Sequence, residues 1–204
     1  MIITGYESEG TQLVCNNFQN SLANYPLLAE SEEIKSYFQA DDFMDWQVLG
    51  KALTSLPTTF LMTSYRGAEV QVSIASGSLL RIEQTPELAA SFEIGDALLF
   101  TGFGNPGPLT IVFEKPVLGA STQMQSDTVK YSEYLVSVEA FDRLDNSIGK
   151  IDVAARSQRA GGGIVPVSLF DRKGRIKKLV LNAKEQGIHM PFAINLLKLK
   201  TNLV

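Results

Sequence analysis

One cysteine, one histidine and one tryptophan are all that this 204-residue chain holds of those three residue types. A lone Cys15 cannot close an internal disulfide, so the fold does not rest on a disulfide framework. Zinc sites need three or four ligands of nitrogen or sulfur type, which Cys15 and His189 do not supply. Nucleophilic catalysis by a Cys–His pair or a serine triad would have to run through His189, and the sequence has no G-x-S-x-G elbow. No apolar run approaches the ~20 residues that cross a bilayer as a helix. The start, Met1-Ile2-Ile3-Thr4-Gly5, lacks the basic and apolar regions of a signal peptide. The expectation is a chain with no membrane span, cytoplasmic or already processed after export. Aperiodic glycines and an apolar fraction of 45% exclude collagen-like and disordered classes.

Charge is present but unevenly placed. The net charge is −4, yet residues 1–50 carry eight acids against Lys35 alone, and residues 151–204 carry ten bases against three acids. One expectation is that the two ends lie against each other and neutralise. The other is a basic face centred on Arg172-Lys173-Gly174-Arg175-Ile176-Lys177-Lys178. That run has no interleaved aromatics and the chain is acidic overall, so nucleic acid is not expected as a partner.

Helical signals are confined to residues 20–56. Ser31 is placed to cap a helix over Ala29–Phe38, with Glu32 and Glu33 in its first turn. Asp41–Leu53 has no clean period and reads as loop or a short helix. From Thr58 onward, short β-branched and aromatic runs alternate with turn signals. Strands are expected over Thr59–Tyr65, Glu69–Ala75, Leu79–Gln84, Ala97–Thr101, Leu109–Glu114, Leu118–Gln125, Tyr134–Asp142, Ser147–Arg156, Val165–Asp171, Ile176–Asn182 and Phe192–Lys200. Strands near ten-residue spacing without intervening helices predict an antiparallel sandwich or barrel. Such a layout should bring the first and last strands onto one sheet. No repeat and no linker is visible, so residues 1–204 are expected to form one β-sandwich domain, with 1–56 as a mixed helical and loop lead-in packed on it.

Gly102-Phe103-Gly104-Asn105-Pro106-Gly107 matches the dinucleotide pattern G-x-G-x-x-G. That pattern works only when a helix N-terminus follows to hold the pyrophosphate. Here Leu109-Thr110-Ile111-Val112-Phe113 follows, a β-run, so the segment is expected to be a hairpin loop. Asp41, Asp42 and Asp45 offer the hard oxygen donors that Ca²⁺ takes, or else form a solvated acidic turn capping a helix near Phe43. Asp127 and the stretch Asp142–Asp145 are weaker donors of the same kind. Trp46, Tyr65, Phe103, Tyr131 and Tyr134 fall at or near loops, where each is either a core plug or a ligand platform.

The order of several short motifs carries a resemblance. Asp45-Trp46-Gln47-Val48-Leu49-Gly50 is followed by Leu53-Thr54-Ser55-Leu56-Pro57, Gly95-Asp96-Ala97-Leu98-Leu99 and Gly107-Pro108-Leu109-Thr110-Ile111-Val112-Phe113. Pro116-Val117-Leu118-Gly119-Ala120, Gln123-Met124-Gln125-Ser126-Asp127, Val138-Glu139-Ala140-Phe141-Asp142, Asn146-Ser147-Ile148-Gly149 and Phe192-Ala193-Ile194-Asn195 continue the series. Over about residues 40–200 the chain resembles the β-sandwich portion of bacterial exported proteins of the PEP-CTERM type, here without the Pro-Glu-Pro sorting motif. The resemblance implies an all-β, antiparallel jelly-roll-like sandwich similar to carbohydrate-binding modules, often with bound Ca²⁺, and no agreed activity.

Three functions follow as expectations. The first is a non-catalytic binding module that recognises a glycan or other ligand through a loop face. Trp46, Phe103 and Tyr131 would stack on the ligand, Gln125 and Asp127 would hydrogen-bond to it, and Asp42, Asp45 and Asn195 would hold a structural Ca²⁺. The second is a calcium-dependent natural-product cyclase, in which Asp127 or Asp96 is a buried acid in an aromatic pocket. The third is a structural or assembly protein, a homo-oligomer joined through sandwich edges or faces.

Overall fold

The structure is a computed structural model that describes residues 3–7, 11–14, 39–88, 90–102, 106–127, 132–157 and 163–202. Alternation of apolar and polar side chains drives most of it. In the strand Glu133–Phe141, Tyr134, Val136, Val138 and Ala140 turn inward while the residues between them face out. Glu69–Ile74 does the same with Val70, Val72 and Ile74. The strands in chain order are β1 (Ile3–Glu7), β2 (Thr11–Val14), β3 (Asp42–Met44), β4 (Thr54–Leu56), β5 (Thr59–Thr63), β6 (Glu69–Ile74), β7 (Leu79–Glu83), β8 (Ala97–Phe100), β9 (Leu109–Val117), β10 (Gly119–Ser126), β11 (Glu133–Phe141), β12 (Ser147–Arg156), β13 (Val165–Asp171), β14 (Ile176–Glu185), β15 (Ile188–His189), β16 (Phe192–Ile194) and β17 (Leu197–Lys200). One 3-10 turn, Trp46–Leu49, lies between β3 and β4.

These strands form two antiparallel sheets, and the fold is an all-β sandwich of jelly-roll-like character. The first sheet runs β1-β12-β11-β14-β9-β6-β5, with β15 added to β14. The second runs β2-β13-β10-β16-β8-β7-β4, with β17 on β10 and β3 on β17. The chain passes repeatedly between the sheets, for example from β6 to β7 and from β8 to β9. Between them lies one apolar cluster that includes Met44, Val72, Leu79, Leu99, Ile111, Phe113, Met124, Val136, Ile151, Leu169, Leu181, Phe192 and Leu199, all at most 1% exposed. Each such Val, Leu, Ile, Met or Phe contributes roughly 1.5–3 kcal/mol on burial, which makes this layer the main source of stability. A second, smaller cluster of Phe92, Leu98, Phe100 and Ala193 sits on the far side of the second sheet.

Several expectations change at this point. The lead-in is not merely packed on the sandwich: β1 pairs with β12, β2 with β13, β3 with β17 and β4 with β7, so it supplies strands to both sheets. The helix expected over 29–38 lies outside the described residues. The first and last strands of the expected series do not share a sheet, because β5 belongs to one and β16 and β17 to the other. The final run is also broken in two. β10 pairs Met124 with Ile194 but Ala120 with Leu199, so the partner strand carries one extra residue between those pairs. Asn195 sits at this bulge and ties it down: its amide donates to Gln123 Oε1 at 2.7 Å and its Oδ1 accepts Gln123 N–H at 3.1 Å.

The glycine-rich segment is a crossing between sheets, not a hairpin. Gly102 has φ +59°, and a Cβ there would stand 2.8 Å from the Ser78 carbonyl oxygen. Gly107 donates its N–H to Ser76 O at 3.0 Å, and a Cβ there would meet Ala75 and Ser76 at 2.9–3.1 Å. These glycines let the β8–β9 and β6–β7 crossings pass close to each other.

Candidate functional site

Charge meets at the two chain ends as one of the expectations had it, at one described point. Asp41 forms an ion pair with Lys200 at 3.2 Å and also accepts from Thr201 N–H, Thr201 Oγ1 and Asn202 N–H. This anchor fixes β3 against β17, with Phe43 opposite Lys198 and Asp42 opposite Leu199.

Asp42 then organises the loop that joins β5 to β6. It is 3% exposed, and a carboxylate so buried needs donors on both oxygens. Oδ1 accepts the N–H of Phe43 at 2.8 Å and of Arg66 at 2.9 Å, while Oδ2 accepts the Ser64 hydroxyl at 2.5 Å. Ser64 Oγ in turn accepts Ala68 N–H at 2.9 Å, and the Ser64 carbonyl accepts Gly67 N–H at 3.0 Å. Gly67 takes φ +84°, which glycine permits without steric cost. Tyr65 N–H donates to Phe43 O at 2.8 Å, tying the loop of the first sheet to β3 of the second.

The result is a fixed aromatic pair at the surface. The rings of Phe43 and Tyr65 stack with centroids 4.7 Å apart and planes 13° from parallel. Such a pair contributes about 0.5–1.5 kcal/mol beyond its area. Tyr65 is nonetheless 76% exposed, so its outer face is open to solvent. Arg66 and Lys198, both exposed, flank the pair, one by chain adjacency to Tyr65 and one by register opposite Phe43.

The other residues singled out from the sequence are placed as follows. Trp46, expected on a ligand face, is fully buried; its indole N–H donates to Asn195 O at 2.7 Å, a carbonyl that the Thr122 hydroxyl also uses. It is a core residue because the 3-10 turn that carries it packs next to β7 and β8 and places it in the main apolar cluster. Phe103 and Tyr131 lie outside the described residues. Gln125 is buried and accepts Ser91 N–H at 2.8 Å, which pins the connection after β7. Asp127 is exposed at the end of β10, its N–H on Pro191 O, and partial desolvation raises its carboxyl above the usual range. Asp96 closes a turn, its N–H donating to Glu93 O and its carbonyl accepting Gln84 N–H.

The expected calcium ligands are engaged separately. Asp42 serves the Ser64–Ala68 loop, Asp45 caps the 3-10 turn by accepting Gln47 N–H at 2.9 Å, and Asn195 serves the bulge. Among the described residues no group of three His, Cys, Asp or Glu side chains could hold a metal ion. The three side chains thus serve three different backbone features. Asp142 spends its carboxylate on its own hairpin turn, accepting Leu144 N–H, Asn146 N–H and the Asn146 amide. These Asn146 and Leu144 donors hold its pKa below the usual carboxylate value.

The basic run is internally occupied. Asp171, fully buried, accepts Arg175 Nε at 2.9 Å and Nη2 at 3.1 Å together with Arg175 N–H at 2.8 Å. Lys178 pairs with Asp145 and lies 4.1 Å from the Phe141 ring centroid, and Lys177 donates to Glu114 O. Tyr134 is buried with its hydroxyl on Gly163 O, and burial pushes its pKa up to about 12. A small void of about 10 Å³ is lined by Ser121, Ser168, Thr122 and apolar residues with no acid. No described helix is long and apolar enough to cross a membrane.

Sequence reasoning weighed Tyr65 only as one loop aromatic among five and overlooked Phe43. The available signal was Asp42-Phe43 followed, after β5, by Ser64-Tyr65-Arg66-Gly67: an acid, two aromatics and a turn glycine.

No family model matches the sequence. A stretch of 74 residues is 38% identical to the SsrA-binding protein of Nitrosospira multiformis, covering 36% of this chain and 44% of that protein. The chain thus spans less than half the length of that relative. Among solved structures, a DUF4465 family protein from Bacteroides caccae is similar over 93% of this chain and all of its own, at 13% identity and a TM-score of 0.41. The enzymatically active domain of tailspike protein 4 of bacteriophage CBA120 is similar over 72% of this chain and 19% of its own, at 11% identity and a TM-score of 0.27.

Proposed function

We propose that this protein is a non-catalytic binding module whose ligand, a glycan, docks on the Tyr65–Phe43 face. One observation carries the reading: an aromatic pair 76% exposed at its outer ring is held in a single geometry by a buried carboxylate beneath it. Large exposed rings cost solvation, and holding one rigid lowers the entropy lost when a flat apolar sugar face settles on it. A pyranose ring presents such a face, edged by hydroxyls that the neighbouring polar groups can meet. No acid–base pair or enclosed chamber is needed for this role. The cyclase reading requires an apolar cavity with an acid inside, and the void of about 10 Å³ between Ser121, Ser168 and their neighbours has no acid in its lining.

The test is retention on an array of immobilised glycans, wild type against Tyr65→Ala. Binding by the wild type that disappears in the variant, with the melting temperature lowered only by the few degrees that the lost Phe43 stack costs, supports the reading. Absence of retention on every glycan, or retention indifferent to Tyr65, overturns it.

A second reading, assembly through sheet edges, is favoured by Leu61, which is 76% exposed on the edge strand β5. Sedimentation of the wild type and Leu61→Lys separates the two. A concentration-dependent dimer abolished by Leu61→Lys supports assembly.

A further inference from the structure

The cations around the aromatic face specify more than a sugar ring. Arg66 follows Tyr65 directly, and its backbone N–H is locked on Asp42 Oδ1 at 2.9 Å, so the side chain leaves the loop from a fixed point. Lys198 stands directly opposite Phe43 in the β3–β17 pair, where facing Cβ atoms lie about 4.5–5.5 Å apart. Both residues are exposed. Among the described residues, neither side chain has an ion-pair partner, although exposed bases elsewhere in the molecule, such as Lys150, do.

Two of the nearby acids are already committed. Asp42 lies beneath the loop with both oxygens occupied, and Asp41 is held by Lys200, Thr201 and Asn202. Glu69 sits on β6 opposite Thr63, beyond the loop. Among the described residues the solvent side of the platform thus carries two cations, Arg66 and Lys198, against Glu69 at its margin, on a chain whose net charge is −4. An anion attracted here is attracted by the site and not by the molecule as a whole.

We infer that the ligand of this face is an acidic polysaccharide, a chain of pyranose rings bearing carboxylate or sulfate groups. A ring stacks on Tyr65 while its anionic substituents reach Arg66 and Lys198. Arginine offers the planar fork that matches either anion in a bidentate manner, and lysine adds a point charge. This inference rests on the binding reading above and narrows it.

Affinity electrophoresis against four polymers tests it: polygalacturonate, its methyl ester, dextran sulfate and dextran. The expected result is retardation by a charged polymer and none by its uncharged counterpart. Retardation by polygalacturonate alone assigns carboxylate, and by dextran sulfate alone assigns sulfate. Arg66→Gln and Lys198→Gln should each weaken binding about two- to fivefold, the range of an exposed ion pair. Tyr65→Ala should abolish it and lower the melting temperature by only the few degrees that the lost Phe43 stack costs, while Arg66→Gln and Lys198→Gln, at exposed positions, should melt like the wild type. Equal retardation by the uncharged polymers would overturn the acidic ligand while leaving a sugar-binding face intact. Retardation that survives Tyr65→Ala would reveal ionic adsorption alone and overturn both. No retardation by any of the four would overturn the inference, and the glycan array would then decide the broader reading.

Discussion

Asp41 accepts a 2.7 Å hydrogen bond from the backbone N–H of Thr201, 160 positions further along the chain. Burial pushes the Asp41 carboxyl up, and the donors from Thr201, Asn202 and Lys200 outweigh it, holding the pKa at about 2 against an ordinary 3.8. A depressed folded-state pKa contributes stability that is full above the unfolded value and lost as pH falls through the folded one. The window is thus about pH 4 down to about pH 2. Asp41→Asn should cost about 2 kcal/mol at pH 7 and flatten the loss of stability across that window, as read by urea unfolding at a series of pH values.

Asp42→Asn keeps the shape of the side chain but removes the charge and turns one acceptor into a donor that faces either the Ser64 hydroxyl or two backbone N–H groups. With Asp42 3% exposed, the expected cost is about 2–3 kcal/mol. Ligand retention should fall along with it, because Tyr65 loses its support. A variant of wild-type stability with normal retention would remove Asp42 from the account.

Trp46 is the one tryptophan and is fully buried. Its fluorescence should therefore be blue-shifted in the native state, move red on unfolding, and stay unchanged when a ligand binds at Tyr65. Trp46→Phe strands the Asn195 carbonyl with Thr122 alone and should cost about 1–3 kcal/mol.

Arg81 is 3% exposed on β7, with Glu83 at 3.0 Å as its acceptor and its Nε without one. A buried cation so poorly matched is expensive. Arg81→Met should be neutral or stabilising, whereas Glu83→Gln should destabilise by about 1 kcal/mol, discounted because Glu83 is partly exposed. A large loss of stability in Arg81→Met would show that the guanidinium does more than its contacts indicate.

Thermal unfolding with excess Ca²⁺ and with EGTA should give the same midpoint, since Asp42, Asp45 and Asn195 each serve a different backbone feature. A native-state ligand at a hundredfold excess over its dissociation constant adds about 2.7 kcal/mol, or roughly 5–11 °C here, so a real site would be visible.

The strands from Thr58 onward were legible because their information is local: period-two apolar patterning and turn residues at each end. The boundaries of β5 through β14 fall close to those expected from the sequence. What failed was long-range. β3 and β4 are three residues each and carry no periodic signal; they are strands because β17 and β7 offer them free edges. Asn195 interrupts the last run through a bulge that only the register with β10 reveals. Trp46 looked like a loop aromatic because the turn that buries it is itself irregular. In the site, loop acids and aromatics could be recognised as a class. Which acid holds which ring depended on β3 meeting the β5–β6 loop across the two sheets.

That meeting has a consequence for biosynthesis. Asp42 and Phe43 ride on β3, whose one described partner strand is β17, at Leu197–Lys200. The binding loop is complete in sequence by Ala68, yet its foundation is laid only when the chain nearly 200 residues from the start has been made. On a ribosome the platform therefore stays unassembled until β17 has been made, and the β3–β17 separation is among the largest between paired strands of the described residues. The Phe43–Tyr65 pair should therefore form last, after the two sheets have found each other.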